Sequence, residues 1–229
     1  ALHWEALKDP NLPRPLAIEV PVVRKSLARQ PQPALLRETP TINLLVVTAR
    51  PSGAQDVGYR TISRPLVEQL RRSRVPVQID ILRPGSYEAL SKHLDRARDE
   101  HGAGFYHVIH FDLHGALMTY QQFQQGVETS RFLYQARYGR DDIQPYEGVK
   151  AFLFMEGQRD GQADPVADDE LGELLQLHQV PIAILNACQS GKQVGTDETS
   201  LGSYLMKTGV QLVLAMRYTV TESAAEILM

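Results

Sequence analysis

The chain of 229 residues has almost no sulfur chemistry to offer, because it holds a single cysteine, Cys188. One thiol excludes an internal disulfide and fits a reducing, cytoplasmic setting. No apolar run approaches the roughly 20 residues that a membrane span needs, so no membrane contact is expected. A basic start leading into an apolar stretch and a small-residue cleavage site is not visible in the residues present. The formal net charge is only −3, with acids and bases interspersed, and leaves no basic footprint for nucleic acid. The first apolar strand continues as ARPSGAQDVGY, which has neither GxGxxG nor GxxxxGK[ST] spacing, so the phosphate-cradling loops of nucleotide enzymes are missing. Arg50 in that loop is read as part of a solvated turn, with phosphate binding the lesser reading. Arg71, Arg72 and Arg74 sit at a helix end, where positive charge meets the helix dipole and solvent.

What is present is a strand and helix alternation. Residues 1–40 are proline-rich, with Trp4, Leu7, Leu16, Ile18, Val20, Val22 and Val23 as their apolar content, and they read as an N-terminal lobe and linker. From residue 41 the rhythm becomes regular. Strands are expected at Ile42–Ala49, Val77–Leu82, Phe105–Asp112, Pro181–Ala187 and Val210–Met216. Helices are expected at Thr61–Arg72, from Ser86 to about Gly102, at Asp168–His178 and at Thr199–Thr208. Such spacing indicates right-handed βαβ units and an α/β fold with a mostly parallel sheet. Residues 116–149, rich in Gln, Arg, Tyr and Gly, show no period and read as one long insertion, a candidate mobile activation or substrate loop. Lys150–Glu156 reads as a short strand, as in a hairpin. Both ends read as cut: the chain opens without methionine and closes inside the helix-like VTESAAEILM.

Two strand ends carry chemistry. PIAILNACQSG (Pro181–Gly191) is an unbroken apolar run that stops at Cys188, and FYHVIHFDLHG (Phe105–Gly115) stops at His114-Gly115. Unalternating apolar runs suit parallel strands covered on both faces. In open α/β sheets, reacting groups collect just outside the carboxyl ends of such strands. A thiol and an imidazole placed there form a nucleophile and an acid–base group, Cys188 and His114. The backbone amides of Gly115 and Cys188 would then serve the oxyanion. The ordinary reading stays beside this one, since a lone cysteine next to a core strand is by default packing and a His-Gly pair is a common turn.

A metal site is excluded on distance. On one strand His110 and His114 would lie roughly 13 Å apart, too far for a shared zinc. His107 and His110 therefore read as satisfied core or helix-facing groups, and His3, His93, His101 and His178 as surface residues. No metal or other cofactor is expected.

The paired endings HFDLHG and LNACQSG resemble the CHAT family of caspase-like cysteine peptidases. Three further stretches match: HWEAL with Asp9-Pro10 near the start, LAIEVPVVRKS at Leu16–Ser26, and TSLGSYLMKTGVQLVLAMRYTV at Thr199–Val220. The resemblance covers nearly the whole chain, least well at 116–149. It implies a caspase-like α/β sandwich over residues 41–229, its mostly parallel central sheet flanked by helices, with a His114–Cys188 dyad that cuts a protein partner. It also implies a sensor of helical repeats upstream or an activator protein, and a regulated effector role in bacterial defence or signalling. One position departs from the metacaspase-like pattern: an acid two residues before the nucleophile is replaced by Asn186, which weakens a basic P1 preference. Asp112, two before His114, then either lines the substrate pocket with Asn186 or serves as a hydrogen-bonded strand-end carboxylate that orients the loop. The rival function is a catalytically inactive caspase-like module that binds protein partners; a small-molecule thiol hydrolase or nucleotide sensor is a third.

Overall fold

A computed structural model describes residues 9–11, 13–14, 33–34, 36–51, 59–125, 143–157, 161, 163–187 and 201–215. The apolar residues of the N-terminal lobe from Trp4 to Val23, and the closing VTESAAEILM, lie outside the described residues.

Five strands form a parallel sheet in the order β2-β1-β3-β7-β8: β1 (Ile42–Thr48), β2 (Val77–Leu82), β3 (Val108–Asp112), β7 (Ile182–Asn186) and β8 (Leu212–Ala215). The central strands are the ones the sequence writes as unbroken apolar runs. Leu45, Val46 and Val47 of β1 have no exposure at all, because layers cover both faces of the strand. The chain moves from β1 outward to β2, then returns past β1 to β3. Helices α1 (Tyr59–Arg72) and α2 (Tyr87–His101) make these two connections, and the right-handed rule for parallel crossovers assigns connections running in opposite directions to opposite faces. The order reverses between β1 and β3, and that crevice is where open α/β sheets hold their reacting groups.

Local signals set the helix limits. Ser86 caps α2, its Oγ accepting from the Ala89 amide at 3.2 Å, and Gly102 ends the helix with φ of 89°. Leu90, Leu94 and Ala97 form the stripe that α2 buries. Helix α4 (Asp168–Leu177) begins with Asp168, Asp169 and Glu170, favourable at the positive end of the helix dipole. It buries Leu171, Leu174 and Leu175 beside Leu201 and Leu205 of α5 (Leu201–Thr208). These side chains meet Leu45, Val47, Ile109, Phe111, Ala183 and Leu185 of the sheet in one main core.

The region 116–149 differs from expectation. His114–Met118 is a strand, β4, and Tyr120–Gln125 a short helix, α3. With β5 (Lys150–Glu156) and β6 (Ala163–Ala167), β4 forms a second, antiparallel sheet in the order β4-β5-β6. The hairpin expected for Lys150–Glu156 is therefore part of a three-stranded unit, and β6 was not anticipated. Alternate residues of β5 explain why the unit docks. Ala151, Leu153 and Met155 join the main core, while Phe152 and Phe154 build a small second core with Ala116, Met118 and Phe123. Residues 126–142 of the expected insertion lie outside the described residues.

At the carboxyl edge Gly85, in the turn after β2, runs hard against β1. A Cβ added there would stand 2.3 Å from the Thr48 carbonyl oxygen and 2.8 Å from the Ala49 Cα, both backbone atoms. Gly85→Ala should therefore lower the urea midpoint with an unchanged m value, a loss on the order of 1–3 kcal/mol from overpacking. An unchanged midpoint would mean that this approach is not tight.

Candidate active site

The carboxyl edge of the parallel sheet gathers Arg50 after β1, Asp112 at the end of β3 and Asn186 at the end of β7. Asp112 and Asn186 are register partners across β3 and β7. Each lies two residues before one of the groups singled out in the sequence, His114 and Cys188. The two segments thus leave the sheet side by side, at the roughly 4.8 Å spacing of neighbouring strands. The Asn186 side-chain Nδ2 donates to Asp112 Oδ1 at 3.3 Å, and the Leu113 backbone amide to the Asn186 main-chain carbonyl at 3.4 Å.

Asp112 is 2% exposed. Its Oδ2 takes a charged bond of 2.7 Å from Arg50 Nη2, while Arg50 Nη1 donates to the carbonyls of Asp112 (2.7 Å) and Ala49 (2.9 Å). Arg50 is 5% exposed, so the solvated turn expected for it is wrong. A guanidinium can be buried here because three acceptors face its fork. The Arg50 amide donates to Glu156 Oε1 at 2.9 Å, and Gly85 donates to Glu156 Oε2 at 3.2 Å. Sequence reasoning missed both Arg50 and Glu156. The available signal was a basic and an acidic residue, each directly ending an otherwise apolar strand.

His114 is not on the same strand as Asp112. The chain turns at Leu113 and His114 opens β4, half-buried and in register with Phe154 of β5; Gly115 follows, opposite Leu153. The extended line from His110 to His114 used in weighing a metal is therefore broken. Among the described residues, no group of three His, Cys, Asp or Glu side chains is arranged to hold a metal ion. Cys188 lies outside the described residues; the described chain stops at Ala187, buried directly after β7.

The other histidines sort by burial. His107 is a satisfied core group as expected: its Nδ1 accepts from the Asn43 amide at 3.0 Å and its Nε2 donates to the Arg37 carbonyl at 2.8 Å. His101 is exposed, but His93 is half-buried against the Tyr106 hydroxyl, at 2.6 Å. His178, read as a surface residue, is buried in the main core's margin, 3.6 Å from Asp95 Oδ1. A leucine-rich helix end hid it: Leu177 before it is exposed while the His178 side chain turns in. His3 lies outside the described residues. His110 shares a sheet face with Asp112, and among the described residues its Nδ1, like Thr48 Oγ1, has no hydrogen-bond partner. That nitrogen lacks, among these residues, the satisfaction expected of it.

A parallel central sheet flanked by helices is the architecture of a caspase-like α/β fold. The family model of the CHAT domain matches residues 1–229, the whole chain, and the chain belongs to that caspase-like family. Among curated proteins, none matches the sequence. No described helix is long and apolar enough to cross a membrane.

Burial pushes the His110 imidazole below its ordinary 6.5, with the Asp112 charge opposing. The unfolded chain thus takes up a proton near 6.5 while the folded one does so only at lower pH. The stability tied to this group is complete above pH 6.5 and is lost as pH falls from there toward the folded value. His110→Gln, which cannot titrate, should flatten the acid limb of a urea-midpoint profile over about pH 5–8. An unchanged limb would assign the loss to other groups.

Proposed function

We propose that this domain is a cysteine endopeptidase that cuts a protein partner through Cys188 and His114. The observation that carries this reading is the register pairing of Asp112 with Asn186, two residues before each reacting group. In the proposed reaction the Cys188 thiolate attacks the scissile carbonyl carbon while His114 holds the thiol proton. The tetrahedral oxyanion is met by the amides of Gly115 and Cys188. The C–N bond then breaks, His114 passes its proton to the leaving amine, and an acyl-enzyme remains on sulfur. Water, deprotonated by His114, attacks that thioester and releases the new carboxylate with the free thiol.

The burial of Asp112 against Arg50 favours an orienting role for its carboxylate over direct substrate contact. Asn186, half-buried at the strand end, is the better candidate for the P1 subsite. Its neutral amide favours uncharged or hydrogen-bonding P1 side chains over basic ones. We further propose that the domain acts in the cytoplasm as a regulated effector in bacterial defence or signalling, under an activator protein or an upstream helical-repeat sensor.

Cleavage of a diverse fluorogenic peptide library, with the activator present, tests the mechanism. Cys188→Ala and His114→Ala should each lower turnover on the order of 10³-fold or more. Cleavage retained in either variant would overturn it. Silence of the wild-type protein under activating conditions would leave an inactive module that binds partners.

A further inference from the structure

The clamp around Arg50 ties together the two strands that border His114. Its guanidinium holds Asp112, two residues before the imidazole, by both the carboxylate and the main-chain carbonyl, at 2.7 Å each. Its own amide holds Glu156, two residues beyond Phe154, the register partner of His114. Glu156 in turn exchanges main-chain and side-chain bonds with Gly85: Glu156 N–H to the Gly85 carbonyl at 3.0 Å, and Gly85 N–H to Oε2 at 3.2 Å. The Ala49 amide adds a bond to the Asp112 carbonyl at 3.1 Å. Through Asp112 the clamp reaches Asn186 and hence the end of β7.

We infer that Arg50 is a positioning residue for the proposed reaction: it fixes where the His114 imidazole stands relative to the strand end that leads to Cys188. The inference rests on the peptidase reading above. For the fold, packing of Ala49, Leu113 and Ala187 in the main core already holds this edge. A reacting pair needs more, because displacement by about 1 Å can cost on the order of 10²-fold in rate. Only a planar fork reaches one carboxylate and two carbonyls together; a lysine ammonium keeps the charge but not that geometry.

Arg50→Lys in the full-length protein is therefore the informative variant, read by two measurements. The first is the pH–rate profile of iodoacetamide alkylation at Cys188, located by peptide mass mapping, with His114→Ala beside it. The wild-type thiol should react through a limb well below the ordinary thiol value of about 8.5, and His114→Ala should remove that limb. Arg50→Lys should shift the limb upward toward the His114→Ala profile. The second is peptide turnover, where kcat should fall on the order of 10–100-fold with KM little changed. Leu94→Ala, a buried α2 residue beside Tyr106 and Val180, which precede β3 and β7 at the opposite end of the strands, serves as the destabilised control and should keep the wild-type profile. Asp112→Asn gives the same two readings should Arg50→Lys fail to fold. If the wild-type protein shows no His114-dependent limb, the dyad reading fails. If that limb is present and both clamp variants keep it unmoved, the positioning role fails while the dyad stands. A rise in KM at unchanged kcat would also overturn it, making Arg50 a substrate contact.

Discussion

The buried ion pair between Arg50 and Asp112 is the constraint on which the arrangement of this edge depends. Both side chains are about 3% exposed, so each charge has given up its water. Buried pairs of this kind contribute little net stability, because desolvation cancels most of the attraction. Breaking one is different, since an uncompensated charge left inside costs about 3–5 kcal/mol. The pair therefore selects geometry more than it adds stability. With Arg50 bonded to the Ala49 and Asp112 carbonyls as well, the ends of β1 and β3 have one relative position, and Asn186 extends that position to β7.

The two sheets divide the work. The parallel sheet supplies a rigid floor, packed through Leu45, Val47, Ile109 and Phe111, with the strand order reversing at the crevice between β1 and β3. The antiparallel sheet begins two residues after β3 ends, at His114, so the imidazole stands on the seam between them. Glu156 closes the seam from the other side by bonding to Arg50 and Gly85. Sequence, packing and chemistry meet here: apolar runs bury the strands, the polar residues that end them find one another, and the proposed reacting groups follow two residues later in the sequence.

Much of the parallel sheet was legible because its signal is local. Val77–Leu82 and Lys150–Glu156 were read to the residue, and Ser86 announced α2 through its capping chemistry. The third strand was read three residues too early, at Phe105, because an apolar Phe-Tyr start looks like strand whether or not a partner is available. The second sheet was hidden for a different reason. Its strands β4 and β6 are short, HGALM and ADPVA, and small or proline-bearing; their pairing with β5 is a tertiary fact. Arg50 and His178 were misjudged because polar residues are assigned to solvent unless their partners are known. Those partners lie 62 residues away for Arg50, and on helix α2 for His178. His114 was placed at a strand end, and it does stand two residues past one, but at the head of a new strand.

The most direct measurement of the central claim is a crystal structure of the protein trapped with a peptidyl ketone. The account predicts a thiohemiketal on Cys188 Sγ, with the His114 ring within hydrogen-bond reach of the trapped centre, about 3–4 Å away. Attachment at any other residue, or a His114 ring more than about 7 Å from the sulfur with no water between them, would contradict it.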